Sequence, residues 1–126
     1  MKNPRLLIID ESVNLILLYK QELEDAGYFV DIANSFKTAI ECINKKLYDL
    51  IIIETKLKDI KEYNILQAKL NDNRDIPLII NTASNNLKNE SALWSINADA
   101  CITKSSNVSV LVEKVKDIFY DFSVKY

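Results

Sequence analysis

Histidine is missing from this chain, and glycine is nearly missing. The 126 residues include no histidine, one glycine, two prolines and two cysteines. Without histidine, neither a Ser-His-Asp or Cys-His catalytic arrangement nor a histidine-ligated zinc site can form. A single glycine excludes the P-loop and the dinucleotide-binding fingerprint, which both require several. The sequence therefore excludes the common nucleotide-binding enzymes and the enzymes that depend on a histidine base.

Long apolar runs and excess basic charge are lacking as well. No run approaches the roughly 18–20 apolar residues of a membrane span, and the N-terminus has no signal-peptide pattern, so we expect a cytoplasmic protein without membrane association. The formal charge of −2 gives no electrostatic reason to expect nucleic-acid binding. Cys42 and Cys101 are too few for a disulfide framework, and each is predicted to be a small buried apolar side chain.

What the sequence does contain is a regular alternation of short apolar runs and helical patterns. Apolar residues make up 48% of the chain, and we expect residues 1–126 to form a single domain. The runs predict five strands, at residues 5–9, 28–33, 50–54, 78–82 and 100–103. The first, third and fourth are nearly continuous in Ile and Leu, as parallel strands buried on both faces require.

Amphipathic stretches between the strands predict five helices. Ser12 or Glu11 begins the first, which Gly27 follows as a plausible terminator. Ser35 is a candidate cap for the second, which carries an apolar stripe of Ala39, Ile40, Ile43 and Leu47. A weaker third helix is predicted at residues 63–70 and a fourth at 87–96. Asn107 is expected to begin the fifth, with Val108, Leu111, Val112, Val115, Ile118, Phe119 and Phe122 at helical spacing.

Five strands alternating with five helices predict a doubly wound parallel sheet with helices on both faces. In such folds, ligands bind beyond the carboxyl ends of the strands. Asp10 and Glu11 follow the first predicted strand, and Glu54 ends the third. The three acids are therefore expected to gather at one edge and to form a small cation or phosphoryl site.

Four segments, taken in order, resemble the receiver domain of bacterial two-component response regulators over essentially the whole chain. They are residues 6–11 (LLIIDE), 49–54 (DLIIIE), 77–83 (PLIINTA) and 98–104 (ADACITK). The resemblance implies a flavodoxin-like fold with strand order 2-1-3-4-5 and a non-enzymatic signalling module. Its partners would be proteins: a sensor kinase, an output domain or a second copy of the chain.

The same resemblance assigns roles to residues by position. Asp10, Glu11 and the residue at position 54 would bind Mg²⁺, together with the backbone carbonyl of Lys56. Thr82 would be the switch hydroxyl and Lys104 the lysine that pairs with the phosphoryl group. Cys101 stands where the family has an aromatic switch residue. Glu54 stands at the position of the phosphoacceptor aspartate.

Glu54 and Glu11 depart from the family pattern. The additional methylene of Glu54 moves its carboxylate by about 1.5 Å, and a misplacement of about 1 Å can reduce a rate on the order of 100-fold. We therefore expect poor phosphotransfer or none. Glu11 stands where the family usually has aspartate, and two lengthened acids should weaken Mg²⁺ binding. Glu54 could instead reach Lys104 or Thr82 and partly mimic a phosphorylated aspartate.

Several alternatives remain open on the sequence alone. Asp10 and Glu11 could be a helix-start acid cluster, and Lys104 could pair with Glu54 for purely structural reasons. The chain could still be a Mg²⁺-dependent phosphoacceptor that uses Glu54 or Asp59. It could also be a flavodoxin-like protein that binds a small anion, although no phosphate-cradling loop is evident.

A protein-contact surface is expected on the fourth predicted helix, fifth strand and fifth helix, where receivers meet their partners, and a homodimer could form there. Trp94 on the fourth helix is either an exposed interface anchor or partly buried against a neighbouring helix. The favoured prediction is an atypical receiver that acts by protein–protein interaction and is independent of phosphorylation or constitutively biased.

Overall fold

The described part of the chain forms five strands and three helices. The computed structural model describes residues 3–10, 12–53, 76–82, 100–103 and 108–125. The strands are β1 (Arg5–Ile9), β2 (Phe29–Ala33), β3 (Leu50–Ile53), β4 (Leu78–Thr82) and β5 (Ala100–Thr103). The helices are α1 (Val13–Asp25), α2 (Phe36–Lys45) and the C-terminal helix (Ser109–Lys125). The helices predicted at residues 63–70 and 87–96 lie outside the described residues.

The strands form one parallel sheet in the order β2-β1-β3-β4-β5. Ile9 pairs with Ala33 of β2 on one side and with Ile53 of β3 on the other. Ile53 pairs in turn with Ile80 of β4, and β4 continues to β5. The predicted five-stranded, flavodoxin-like sheet and its strand order are confirmed.

Each face of the sheet carries its own layer of apolar side chains. One face buries Leu7, Ile9, Ile51 and Ile53 of the central strands under Phe36, Ala39 and Ile43 of α2. The other buries Leu6, Ile8, Leu50 and Ile52 under Ile16, Tyr19 and Leu23 of α1 and Leu111, Val115 and Ile118 of the C-terminal helix. Because burying one such side chain stabilises the fold by about 1.5–3 kcal/mol, the two layers supply most of the driving force for folding.

Helix α1 begins and ends where the sequence indicates. Ser12 is the N-cap residue, with extended backbone, although its side chain makes no capping hydrogen bond. Gly27 has φ of +102°, a conformation that favours glycine, and it turns the chain toward β2. The Tyr28 N–H donates to the Leu23 carbonyl at 3.2 Å. Tyr28 therefore belongs to the turn, and β2 begins one residue later than predicted.

Helix α2 confirms the predicted cap and corrects the predicted stripe. The Ser35 hydroxyl accepts a hydrogen bond from the Thr38 N–H at 3.1 Å. The helix ends at Lys45 because Lys46 is extended, with φ of −136° and ψ of 157°. Leu47 therefore falls beyond the helix and is 74% exposed. Its predicted place on the inner stripe was wrong.

The C-terminal helix buries the predicted apolar positions 111, 112, 115 and 118. Its helical residues begin at Ser109, and Asn107, predicted to begin it, lies outside the described residues. The Phe119 ring lies 5.5 Å from the Tyr28 ring, which connects this helix to the turn before β2. Within the described ranges, no helix has the length and apolarity needed to cross a bilayer.

Candidate functional site

Asp10 follows β1 and lies where the carboxyl ends of the parallel strands meet. Its N–H donates to the Ala33 carbonyl at 3.0 Å, which extends the pairing with β2 by one bond. Its Oδ1 atom accepts the Ser12 N–H at 2.8 Å. A short acidic side chain that bonds the backbone two residues ahead stabilises a turn. The chain thus leaves β1 sharply and enters α1 with Asp10 held in place.

Asp10 is also one of the few buried polar residues in the described chain, with 3% of its surface exposed. A buried carboxylate needs hydrogen-bond donors or a cation to offset its desolvation. The Ser12 N–H supplies one such donor, and carboxylate oxygens are the ligands that Mg²⁺ prefers. The donor chemistry of Asp10 therefore fits the metal ion expected here, as one ligand of several.

The end of β3 lies beside the end of β1, the strand that leads into Asp10. Ile53, the last residue of β3, pairs with Ile9 and with Ile80. β3 therefore ends between the strands that lead to Asp10 and Asn81. Glu54 follows Ile53 in the sequence and lies outside the described residues.

The fourth and fifth strands end side by side. Thr82 pairs with Thr103 as the last residue of each strand. Lys104 follows Thr103 immediately in the sequence. The sheet thus brings the ends of β1, β3, β4 and β5 to one edge, where Asp10 and Thr82 lie. The predicted placement of Glu54 and Lys104 at this edge stays a prediction. Only the backbone of Thr82 is described, and Lys104 lies outside the described residues.

Other predicted site residues receive a partial placement or none. Cys101 lies in β5 and pairs with Ile80, but its side chain is not among those described. Glu11, Lys56 and Trp94 lie outside the described ranges. Among the residues that the structure does describe, no group of three or more acids or cysteines could hold a metal ion. The predicted Mg²⁺ site, which needs Glu11 and Glu54, stays a prediction.

Cys42 corrects an expectation from composition. It was predicted to be a small buried apolar side chain, but it is only partly buried on α2, where it packs against the core. Cys42 also lines an open groove together with Val30 and Ile32 of β2, which leaves part of its side chain accessible to solvent.

Two polar features, one buried and one partly buried, were not predicted. Asn81 is 2% exposed in β4 and makes no side-chain hydrogen bond to another described residue. Asp31 of β2 accepts hydrogen bonds from the Tyr48 hydroxyl at 2.8 Å and from Lys46 Nζ at 3.3 Å, and Arg5 Nη1 lies 3.4 Å away. The signal for the second was an aspartate within the apolar run of residues 29–33.

The Asp31 and Tyr48 pair has shifted acidities with clear causes. Partial burial would raise the pKa of Asp31, but the hydrogen bonds from Tyr48 and Lys46 and the charges of Lys46 and Arg5 outweigh it, so its pKa is lowered. Burial, followed by the hydrogen bond to Asp31, raises the pKa of the Tyr48 hydroxyl. Asp31 is therefore ionised and Tyr48 neutral at neutral pH.

Two solved structures that resemble this fold are a receiver domain protein and a response regulator. A CheY-like receiver domain protein of Methanospirillum hungatei superposes with a TM-score of 0.84 at 26% identity, covering 99% of this chain and 100% of that one. Response regulator TrrA of Thermotoga maritima, solved in complex with Mg²⁺-BeF, superposes with a TM-score of 0.72 at 29% identity, covering 93% and 98%.

Sequence relatives give the same result. Response regulator ArlR of Staphylococcus saprophyticus is 29% identical over 112 residues, which is 89% of this chain and 50% of the relative. The chain thus spans about half the length of this curated relative. The family model described as the response regulator receiver domain matches residues 6–116. The chain belongs to the response regulator receiver domain family of two-component signalling.

Proposed function

We propose that this chain is an atypical receiver that signals by protein–protein contact and does not undergo ordinary aspartyl phosphorylation. The observation that carries the proposal is the glutamate at position 54, which follows the last residue of β3 in the sequence. In this family the residue there is the nucleophile that attacks phosphorus. Here the sequence keeps an acid at this position but lengthens it by one methylene.

The physical reason lies in the reach of the side chain. Ile53 is fully buried and paired on both sides, so the strand cannot retreat to compensate for the additional methylene. The carboxylate is displaced by about one C–C bond, about 1.5 Å. In-line attack requires close alignment of the nucleophile with phosphorus, so the reaction is slowed on the order of 100-fold or more. Glu54 instead supplies a permanent negative charge at this edge of the sheet.

Asp10 would bind Mg²⁺ with Glu11 and the Lys56 carbonyl. The cation would neutralise phosphoryl charge at the site. Asp10 is held by the Ser12 N–H at 2.8 Å, which orients its carboxylate before any metal arrives. Glu11 and Glu54 are both lengthened acids, so we expect Mg²⁺ to bind more weakly than to a site of three aspartates.

The partner of this receiver would be another protein, reached through β5 and the C-terminal helix. Val110 and Tyr120 of that helix are 46% and 69% exposed. Exposed aromatic and branched side chains of this kind suit a protein interface. A sensor kinase, an output domain or a second copy of the chain are the candidate partners.

A second candidate function is a working phosphoacceptor. The observation that favours it is the likeness to TrrA, a response regulator solved with Mg²⁺-BeF, at 29% identity. Under this alternative, Glu54 or Asp59 accepts the phosphoryl group and forms an acyl phosphate.

The test compares the wild type with Glu54→Asp. Both proteins are incubated with Mg²⁺ and acetyl phosphate, and intact-mass spectrometry measures phosphoryl addition. Mg²⁺ titrations with and without beryllofluoride are followed by intrinsic fluorescence. We expect no phosphoryl addition and no beryllofluoride response for the wild type, and both for Glu54→Asp.

The control is Glu54→Gln, which removes the carboxylate but keeps the length. If the wild type is labelled and Glu54→Gln abolishes the labelling, Glu54 is a working phosphoacceptor. If the labelling survives Glu54→Gln but is lost in Asp59→Asn, Asp59 is the phosphoacceptor. Either outcome would overturn the proposed function.

A further inference from the structure

The outer edge of β2 carries backbone groups that point away from the sheet. In the strand order, β2 pairs with β1 on one side, and among the described residues no strand pairs with its other side. The Phe29 N–H donates to Pro4 and the Ala33 carbonyl accepts from Asp10. In a parallel ladder, alternate residues bond to the same neighbour, so 29, 31 and 33 face β1. Val30 and Ile32 therefore direct their N–H and C=O groups outward.

A groove runs along this edge between α1 and α2. Its volume is about 440 Å³, and Val30, Asp31 and Ile32 form its floor. Lys20 of α1 borders one side, and Cys42, Lys45, Lys46 and Tyr48 border the other. The groove lies beside the sheet edge and not at the carboxyl ends of the strands. It is therefore separate from the site around Asp10.

The groove is positively charged in a protein whose formal charge is −2. Three lysines line it against one aspartate. Asp31 already pairs with Lys46 and Arg5, at 3.3 and 3.4 Å. Lys20 pairs with Glu24 at 2.8 Å. With Glu24 and Arg5 included, four positive side chains stand against two negative ones, so the groove keeps a net positive charge. Lys45 makes no ion pair with another described residue, and its side chain is exposed. The groove thus offers outward backbone hydrogen bonds between two lysine-bearing walls.

We propose that the β2 edge binds an extended acidic segment of a partner protein, which adds to the sheet as a sixth strand. The outward groups of Val30 and Ile32 bond the backbone of the added strand, the mode known as strand addition. Side chains of an extended segment alternate between the two faces of a sheet, so successive acids meet Lys45 on one wall and Lys20, which they share with Glu24, on the other.

A second copy of this chain is a poor occupant of the same edge. Pairing two β2 edges would bring the lysines of one groove against the lysines of the other. Like charges placed opposite each other across a strand pair are destabilising. The charge of the groove thus selects an acidic strand over the chain's own β2.

The first test measures binding of a short fluorescein-labelled peptide of alternating glutamate and valine by fluorescence anisotropy. A peptide of alternating lysine and valine serves as the matched probe. We expect saturable binding of the acidic peptide alone, weakened about fivefold by Lys45→Glu, since reversing one charge changes a surface ion pair by this amount. Lys37→Glu reverses a charge on the same helix outside the groove and should leave binding within about twofold.

The second test asks whether the peptide joins the sheet. Ile32→Pro removes one outward N–H, and proline is tolerated at such positions on edge strands. We expect Ile32→Pro to reduce affinity about tenfold, because it removes a backbone hydrogen bond and obstructs its neighbour. Hydrogen exchange on the wild type provides a readout that does not need this variant to fold. The amides of Val30 and Ile32 should become protected when the acidic peptide is added.

Three outcomes would overturn the proposal. Equal effects of Lys45→Glu and Lys37→Glu would show nonspecific electrostatics, and unchanged exchange at Val30 and Ile32 would exclude strand addition. A dimer in sedimentation that Ile32→Pro dissociates would assign this edge to a second copy of the chain. None of these results depends on whether Glu54 accepts a phosphoryl group.

Discussion

At the scale of single residues, Tyr48 and Asp31 form a polar pair at the margin of the core. Tyr48 is 1% exposed, and its hydroxyl donates to Asp31 at 2.8 Å. A buried hydroxyl bonded to a carboxylate stays protonated to higher pH than a free tyrosine, which is why its pKa is raised. The pair therefore links stability to pH at both ends of the scale.

The direction of each pKa shift determines how that residue's effect on folding stability changes with pH. The pKa of Tyr48 is higher in the folded protein than in the unfolded chain. Its stabilisation of the fold is therefore fully present below the unfolded-chain pKa of about 10. That stabilisation is lost as pH rises through the folded-state pKa. The pKa of Asp31 is lower in the folded protein than in the unfolded chain. Its stabilisation of the fold is therefore present above the unfolded-chain pKa of about 3.9 and is lost as pH falls through the folded-state pKa.

We predict that Tyr48→Phe lowers the free energy of unfolding at neutral pH by about 1–2 kcal/mol, because it removes a hydrogen bond to a charged group. It should also flatten the fall in stability above about pH 10. Urea unfolding across pH measures both effects. Tyr120→Phe is the control, since its ring is 69% exposed, and a loss as large as that of Tyr48→Phe would contradict the prediction.

Asn81 is the second residue with a clear energetic consequence. It follows the buried run of Leu78, Ile79 and Ile80 and is 2% exposed. It makes no side-chain hydrogen bond within the described part of the chain, and a buried amide without a partner costs about 1–3 kcal/mol. We predict that Asn81→Leu, which is similar in size, raises the free energy of unfolding by about 1 kcal/mol. Destabilisation by the same amount in urea unfolding would show that the amide is bonded.

At the scale of elements, the two described N-caps differ in a way that sequence alone does not reveal. The Ser35 hydroxyl accepts the Thr38 N–H at 3.1 Å, whereas the Ser12 side chain makes no capping bond. The difference arises because Asp10 already accepts the Ser12 N–H and holds the entry to α1. Two serines in the same position of two helices therefore have different roles.

We predict that Ser35→Ala lowers the free energy of unfolding by about 1 kcal/mol, the usual cost of removing a bonded N-cap. Ser12→Ala should cost less than about 0.5 kcal/mol, as a surface change without a lost bond. Thermal unfolding of both variants measures the difference. Equal losses would mean that the cap geometry of α1 and α2 is the same.

The strands were predictable from sequence to within one residue at each described end. Apolar runs such as 6–9 and 50–53 are typical of strands at the centre of a sheet that is covered on both faces. The end of α2 was not predictable. Leu47 continues the helical spacing of Ile40 and Ile43, yet the extended backbone of Lys46 removes it from the helix. Hydrophobic periodicity indicates which positions suit a helix, but it does not indicate at which residue the helix ends.

The candidate site divides in the same way. Sequence spacing predicted that Glu54 and Thr82 end strands and that Asp10 and Lys104 follow strands. The register of β1, β3, β4 and β5 brings the ends of those strands together, and the placement of Glu54 and Lys104 there stays a prediction. The Asp31 and Tyr48 pair was missed because its members are seventeen residues apart and meet only when α2 packs beside β2. A local pattern carries no information about such a contact.

At the scale of the whole molecule, the strand order sets a gradient of protection across the sheet. β1 and β3 lie between other strands and are covered on both faces, so Leu7 and Ile51 are fully buried. β2 lies at the edge, and Ile32 is 36% exposed. The central strands can exchange their amide hydrogens only when much of the molecule opens, whereas outward groups of an edge strand exchange from the folded state.

We predict that native-state hydrogen exchange is slowest at Leu7 and Ile51 and at least about 1000-fold faster at Val30 and Ile32, as expected when one set needs global opening and the other does not. Asp31 is the internal control, since it lies between these two residues on the same strand but faces β1. Its amide should exchange more slowly than either neighbour. Uniform protection along residues 30–32 would mean that the outer edge of β2 is covered in the free protein. The alternation of fast and slow amide exchange would then appear only after the covering segment was displaced.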